Sequence, residues 1–76
     1  MYQENRLLDV RGLLCPLPLL KAKQAISQLS SGELLKVLAT DASSQRDFKA
    51  WVHIAHHQLL QIDLVDDEYH YLICKA

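Results

Sequence analysis

Cysteine, proline and glycine are scarce in this sequence, with two of each among 76 residues. The cysteines, Cys15 and Cys74, form no CxxC pair. No second cysteine lies near enough in sequence to resolve the first, which argues against a dithiol oxidoreductase. Neither charge sign prevails: 8 Lys and Arg stand against 9 Asp and Glu, for a net charge of −1. A binder of the nucleic-acid backbone needs a basic patch, so no direct nucleic-acid partner is expected. No apolar run approaches the roughly 20 residues of a membrane-spanning helix, and no signal-peptide pattern opens the chain. The expected address is therefore the cytoplasm, a reducing compartment, with no membrane partner. Repeats, linkers and low-complexity stretches are missing too. Half the residues are hydrophobic, enough for one small core and too many for a disordered chain.

Against this spare background stands Cys15-Pro16-Leu17-Pro18. It follows the short apolar stretch Leu7-Leu8-Asp9-Val10 and opens an apolar-periodic segment from Leu19 to Leu29, the pattern of strand, turn and helix. Proline suits the first helical turn, where the N–H it lacks would have no intrahelical partner. A residue before proline is pushed into the extended conformation that an N-cap adopts. Cys15 is thus the expected N-cap, with the amides of Leu17 and Leu19 as nearby donors. At the positive end of a helix dipole a thiolate is stabilised, which predicts a lowered thiol pKa and a nucleophile at neutral pH. Pro16 and Pro18 would act by fixing the direction of the sulfur. The plainer reading is a buried structural cysteine at a helix start.

The rest of the chain reads as a polar tail over 1–6 and one domain over 7–76. A first strand covers Leu7–Val10. A helix follows over Pro16–Leu29, with Leu19, Ala22, Ile26 and Leu29 on the buried stripe and Lys21, Gln24 and Gln28 outside. Ser30-Ser31-Gly32 stops it. A second strand over Glu33–Thr40 points Leu35, Val37 and Ala39 inward. Asp41 is the expected N-cap of a second helix reaching Ala55, with Phe48, Val52 and Ala55 inward and Trp51 beside them. A third strand over Leu59–Val65 sets Leu60, Ile62 and Leu64 on the face opposite Gln61 and Asp63. The Asp66-Asp67 turn leads to a fourth strand over Glu68–Lys75, with Tyr69, Tyr71 and Ile73 on the core face. Crossover helices make the first three strands parallel, and the short turn makes the fourth antiparallel. The expected fold is an α/β two-layer sandwich, β-α-β-α-β-β, with two helices on one face of a mixed four-stranded sheet.

Both helices then begin at the carboxyl edge of the parallel strands, where open α/β sheets place their ligand sites. Cys15 should have the Thr40–Ser44 loop and Arg46 as neighbours, with Arg11 just upstream. The Asp66-Asp67 turn at that edge would raise the thiol pKa. Cys74 belongs to the opposite edge, out of disulfide reach, on the outer sheet face beside His70 and Leu72. Leu7, Leu34, Leu38, Val65, Leu72 and Cys74 all point to that face by alternation. It is either a homodimer or docking face or a tolerated patch.

With Leu8-Asp9-x-x-Gly12-Leu13-x-Cys15-Pro16-x-Pro18 in place, the chain resembles the TusA/SirA-like family of small sulfur-carrier proteins. Gly32-Glu33-x-Leu35, Thr40-Asp41, Arg46-Asp47 and Tyr69-x-Tyr71-Leu72-Ile73-x-Lys75 fit as well, so the likeness runs from Leu8 to Lys75. It implies a carrier cysteine, Cys15, that accepts a sulfane sulfur as a persulfide and passes it to a partner's cysteine. The donor would be a cysteine desulfurase or a rhodanese, and the acceptor a sulfurtransferase. The relay would serve tRNA thiolation or sulfur-compound metabolism. Arg11, Gly12, Leu17, Leu19, Lys21, Asp41 and Arg46 surround the motif as candidate partner-binding residues. Three positions depart from the family's pattern. Leu17 replaces an acidic residue common in the tRNA-relay members, Ala42 replaces a proline, and His56 replaces a glycine, which predicts a positive φ there.

His53, His56 and His57 have the i, i+3, i+4 spacing of a metal site, but no cysteine or acid completes one, so no metal or cofactor is expected. The alternative to a carrier is a non-catalytic interaction or redox-sensing module using the apolar sheet face and Cys15.

Overall fold

In the computed structural model, which describes residues 3–76, the elements are β1 (Arg6–Asp9), α1 (Leu17–Ser27), β2 (Leu34–Ala39), α2 (Ser44–Ala55), β3 (Gln58–Val65) and β4 (Glu68–Cys74). Strand order is β1-β2-β4-β3. β1 runs parallel to β2, and β4 is inserted antiparallel between β2 and β3. This is the expected two-layer α/β sandwich. Of the polar tail, Met1 and Tyr2 lie outside the described residues. Asn5 is tied to β2, its N–H donating to the Leu34 carbonyl and its side-chain oxygen accepting from the Leu34 N–H. Arg6, assigned by sequence to the tail, is the first residue of β1.

The register explains the core. Leu8, Val37, Tyr71 and Ile62 form one row across the four strands, and Leu35, Ile73 and Leu59 form another. Their period-2 spacing puts both rows on the helix side, where Ala22, Ala25 and Ile26 of α1 and Phe48, Trp51 and Val52 of α2 cover them. Phe48 packs on Tyr71 with ring centroids 4.5 Å apart. β3 departs from simple alternation. A bulge between Leu59 and Gln61 leaves Leu60 without a partner, so Leu59 joins the core in its place. Leu64 lies opposite Tyr69 on the helix side but beyond the helices' cover, and is 65% exposed. The β3–β4 turn has Asp66 and Asp67 at φ 51° and 64°, the backbone of a tight hairpin turn. His56 ends α2 at φ 62°, as its replacement of a glycine predicts.

The outer face is not the continuous apolar surface that alternation suggests. Lys36 and Gln61 flank Leu72, which is only 5% exposed. Lys36, Gln61, Asp63 and His70 line a shallow hollow of about 50 Å³ there. Leu34, Leu38 and Cys74 are half-buried, leaving Leu7 and Val65 exposed at separate places.

Candidate functional site

The path from β1 to α1 is built from two consecutive turns. The Leu13 N–H donates to the Val10 carbonyl (3.2 Å), closing a turn in which Gly12 has φ 81°. That left-handed conformation is where glycine is preferred. The Gly12 N–H donates to Thr40 Oγ1 (2.8 Å), locking the turn to the loop after β2. In the second turn the Leu17 N–H donates to the Leu14 carbonyl (2.9 Å), and the Cys15–Pro16 peptide is cis.

This second turn corrects the helix-cap expectation. Helical bonding begins with the Leu20 N–H donating to the Pro16 carbonyl (3.1 Å), so Pro16 is the N-cap and Cys15 lies one residue outside. The Leu17 amide is occupied by Leu14 instead of facing the sulfur. Pro16 is exposed, and Pro18 is buried in the first helical turn.

Asp41 is not a helix cap either. Ser43 caps α2, whose first backbone bond runs from the Asp47 N–H to the Ser43 carbonyl. The Asp41 carboxylate instead gathers the loops. It accepts the Cys15 N–H (2.7 Å), the Ser43 N–H (3.1 Å) and the Ser43 hydroxyl (2.9 Å). These bonds, led by the Ser43 hydroxyl, hold its pKa below the ordinary carboxylate value. Asp41 thus pins the backbone of Cys15 against the β2–α2 loop.

Cys15 is exposed, and its Sγ–H donates to Asp47 Oδ2 (3.2 Å) from the first turn of α2. This contact reverses the expected electrostatics. The Asp47 carboxylate accepts a hydrogen bond from the thiol, and with partial desolvation it pushes the thiol pKa above its ordinary value. The Ser43 hydroxyl opposes this and Asp41 adds to it, both weakly. A helix start offers about half a positive charge. A full negative charge at 3.2 Å outweighs it when the sulfur stands outside the cap. The carboxylates responsible are Asp47 and Asp41, not the Asp66-Asp67 turn.

The other candidate residues separate into groups. Arg11 grips Asp9 through two nitrogens (2.9 and 2.8 Å) and reaches Glu68 (3.2 Å), which also meets His70 (3.2 Å). Arg11 holds Asp9 at about 2, and its guanidinium is committed to these acids instead of to the thiol. Arg46 points into solvent, 79% exposed, touching only the far oxygen of Asp47 (3.3 Å). Leu17 is exposed within the motif and Lys21 is exposed one turn on, whereas Leu19 packs against the core.

Leu14 (71% exposed) and Leu20 (48% exposed) flank the motif and escaped the sequence reading, although the α1 stripe leaves Leu20 on its outer side. In the sequence Asp47 stands out only as part of the Arg46-Asp47 family match. Its signal was its place in the first turn of the second helix, at the same sheet edge as Cys15. Below the site, the buried Ser44 hydroxyl bonds to the buried Tyr71 hydroxyl (2.7 Å), fastening the start of α2 to β4. Among the described residues no cluster of three metal-ligating side chains occurs, and His57 accepts the Ala76 N–H while packing on Trp51. Both cysteines are free.

Known proteins are similar to this chain in sequence and in fold. The family model described as sulfurtransferase TusA matches residues 6–75. The sulfur carrier protein TusA of Allochromatium vinosum is 41% identical over 69 residues, covering 91% of each chain. A putative sulfur carrier protein of Halobacterium salinarum is 40% identical over 76 residues, covering 99% of this chain and 94% of the other. A crystal structure of a SirA-like protein from Desulfitobacterium hafniense has the same fold, with a TM-score of 0.82 at 22% identity over 91% of this chain and 95% of that one. Matched along nearly its whole length in sequence and in fold, the chain belongs to the TusA/SirA-like family.

Proposed function

We propose that this protein is a sulfur carrier that holds a sulfane sulfur as a persulfide on Cys15. The observation that carries the reading is an exposed thiol on a pinned backbone at the carboxyl edge of the sheet. In loading, Cys15 Sγ attacks the outer sulfur of a donor persulfide. The donor's S–S bond breaks, a new S–S bond forms on Cys15, and the donor keeps a thiol. In handover a partner's sulfur attacks the same outer atom and Cys15 returns to the thiol, so the cycle involves no net oxidation. The donor would be a cysteine desulfurase or a rhodanese, the acceptor a sulfurtransferase, and the setting the cytoplasm. Leu17, exposed where tRNA-relay members carry an acid, would take part in choosing the partner.

A redox sensor fits less well. It works best with a thiolate and a resolving cysteine in reach. Here Asp47 favours the thiol, and Cys74 ends β4, whose antiparallel pairing puts it level with Leu34 at the far edge.

Sulfur transfer is tested with labelled sulfur, from L-cysteine through a cysteine desulfurase and from thiosulfate through a rhodanese. The expected result is label on the chain from at least one donor, discharged when an acceptor thiol is added. No label from either, or label that added thiol does not discharge, would contradict the carrier reading.

A further inference from the structure

We propose that Asp47 is the acid–base group of the transfer reaction, accepting the Cys15 proton as Sγ attacks and delivering it to the departing donor sulfur. The inference rests on the carrier reading of Cys15 and adds the group that moves the proton. Asp47 Oδ2 is the acceptor of the thiol hydrogen bond, so it touches the reacting atom. Its other oxygen is braced by Arg46 Nε, and its side chain is 19% exposed. Its helix is fastened beneath the site by the Ser44–Tyr71 hydrogen bond. No imidazole competes for the role. His53, His56 and His57 lie at the far end of α2, and His70 is paired with Glu68.

Chemistry supplies the need. Beside a carboxylate, Cys15 rests as a thiol, so attack through the free thiolate draws on a small population. A thiol of raised pKa is also a poor leaving group when the sulfur is handed on. Both difficulties concern one proton, and it already lies in the hydrogen bond from Cys15 to Asp47. In loading, the Cys15 S–H bond breaks and its proton passes to Oδ2. The Cys15–sulfur bond forms, the donor S–S bond breaks, and the proton passes from Oδ2 to the donor sulfur. Handover is the reverse: Oδ2 takes the acceptor's thiol proton and returns it to Cys15 Sγ. Asp47 ends each half-cycle as the carboxylate it began.

The test compares two reactions of Cys15 in Asp47→Asn, with Cys74→Ser as the common background. Iodoacetamide expels iodide, which needs no proton, so its rate follows the thiolate. Glutathione persulfide loads sulfur and leaves a thiol, which does need one. At pH 7, Asp47→Asn is expected to speed alkylation, because the opposing charge is gone, yet to slow loading about a hundredfold, the lower end of a positioned acid–base group's contribution. Asp47→Glu, which keeps a carboxylate, is expected to recover most of the loading. If loading rises in step with alkylation in the asparagine variant, Asp47 is only an electrostatic brake and the proposal falls. Should that variant not fold, the unsubstituted Asp47 protein decides. Its ratio of loading to alkylation, normalised to N-acetylcysteine against the same donor, should fall as pH rises and thiolate accumulates. A constant ratio would overturn the proposal. Failure of the wild type to load at all would instead remove the carrier reading and this inference with it.

Discussion

Three donors converge on the Asp41 carboxylate, and one of them is the backbone N–H of Cys15. A carboxylate whose pKa is depressed in the folded state adds stability above its unfolded value of about 3.9 and loses it as pH falls through the folded value. Asp41→Asn is therefore expected to melt below wild type at neutral pH, with the gap closing in strong acid. Melting curves by circular dichroism from pH 7 to pH 2 check this, and a gap independent of pH would contradict it. At Cys15 the sign is opposite to that of a thiol activated by a helix start. Its alkylation rate should reach half-maximum at a pH above that of a free cysteine thiol, and Asp47→Asn should bring the midpoint down. A wild-type midpoint below the free thiol's would restore the helix-start explanation.

Among the elements, α2 is placed by one buried polar pair. Removing the Ser44 hydroxyl leaves the buried Tyr71 hydroxyl without its partner, and Ser44→Ala should cost about 1–3 kcal/mol. Adding Tyr71→Phe should give less than the sum of the two single losses, because the second change removes the group left unpaired. Chemical denaturation of the four proteins measures this cycle, and additive losses would mean that the bond contributes nothing specific. Element types and order were legible because Leu35, Val37, Ala39 and Tyr69, Tyr71, Ile73 follow a strict period of two, and Ala22, Ile26, Phe48 and Val52 follow the helical one. On the inner side of β3 Ile62 was legible in the same way, but Leu59 was not, because a bulge at Leu60 obeys no periodicity. Both N-caps were misplaced for a related reason. Cys15-Pro16 and Asp41 have the composition of caps, but turns closed by the Leu14 and Asp41 carbonyls stand before the helices begin. The thiol's surroundings were misjudged because the partner that sets its chemistry, Asp47, is 32 residues away. Local sequence placed the sulfur on the right edge but did not show which of the acids there touches it.

For the molecule as a whole, the uncovered sheet face decides whether the chain stands alone. Lys36, Gln61, Asp63 and His70 interrupt its leucines, and Leu72 is already covered, so a second copy would have to desolvate charges to pair there. Analytical ultracentrifugation at micromolar concentration is expected to show a monomer. A dimer dissociated by Leu7→Glu would contradict that. Polarity along the strands separates the two thiols instead: Cys15 stands at the carboxyl edge of β1 and β2, and Cys74 at the other. Sulfur bound to the protein should therefore sit on Cys15 alone, and intact mass with peptide mapping after incubation with a persulfide donor reads this directly. Wild type and Cys74→Ser should each gain the mass of one sulfur, located on the peptide containing Cys15, while a folded Cys15→Ser gains none. Loading that persists in Cys15→Ser and vanishes in Cys74→Ser would contradict the carrier mechanism at its centre.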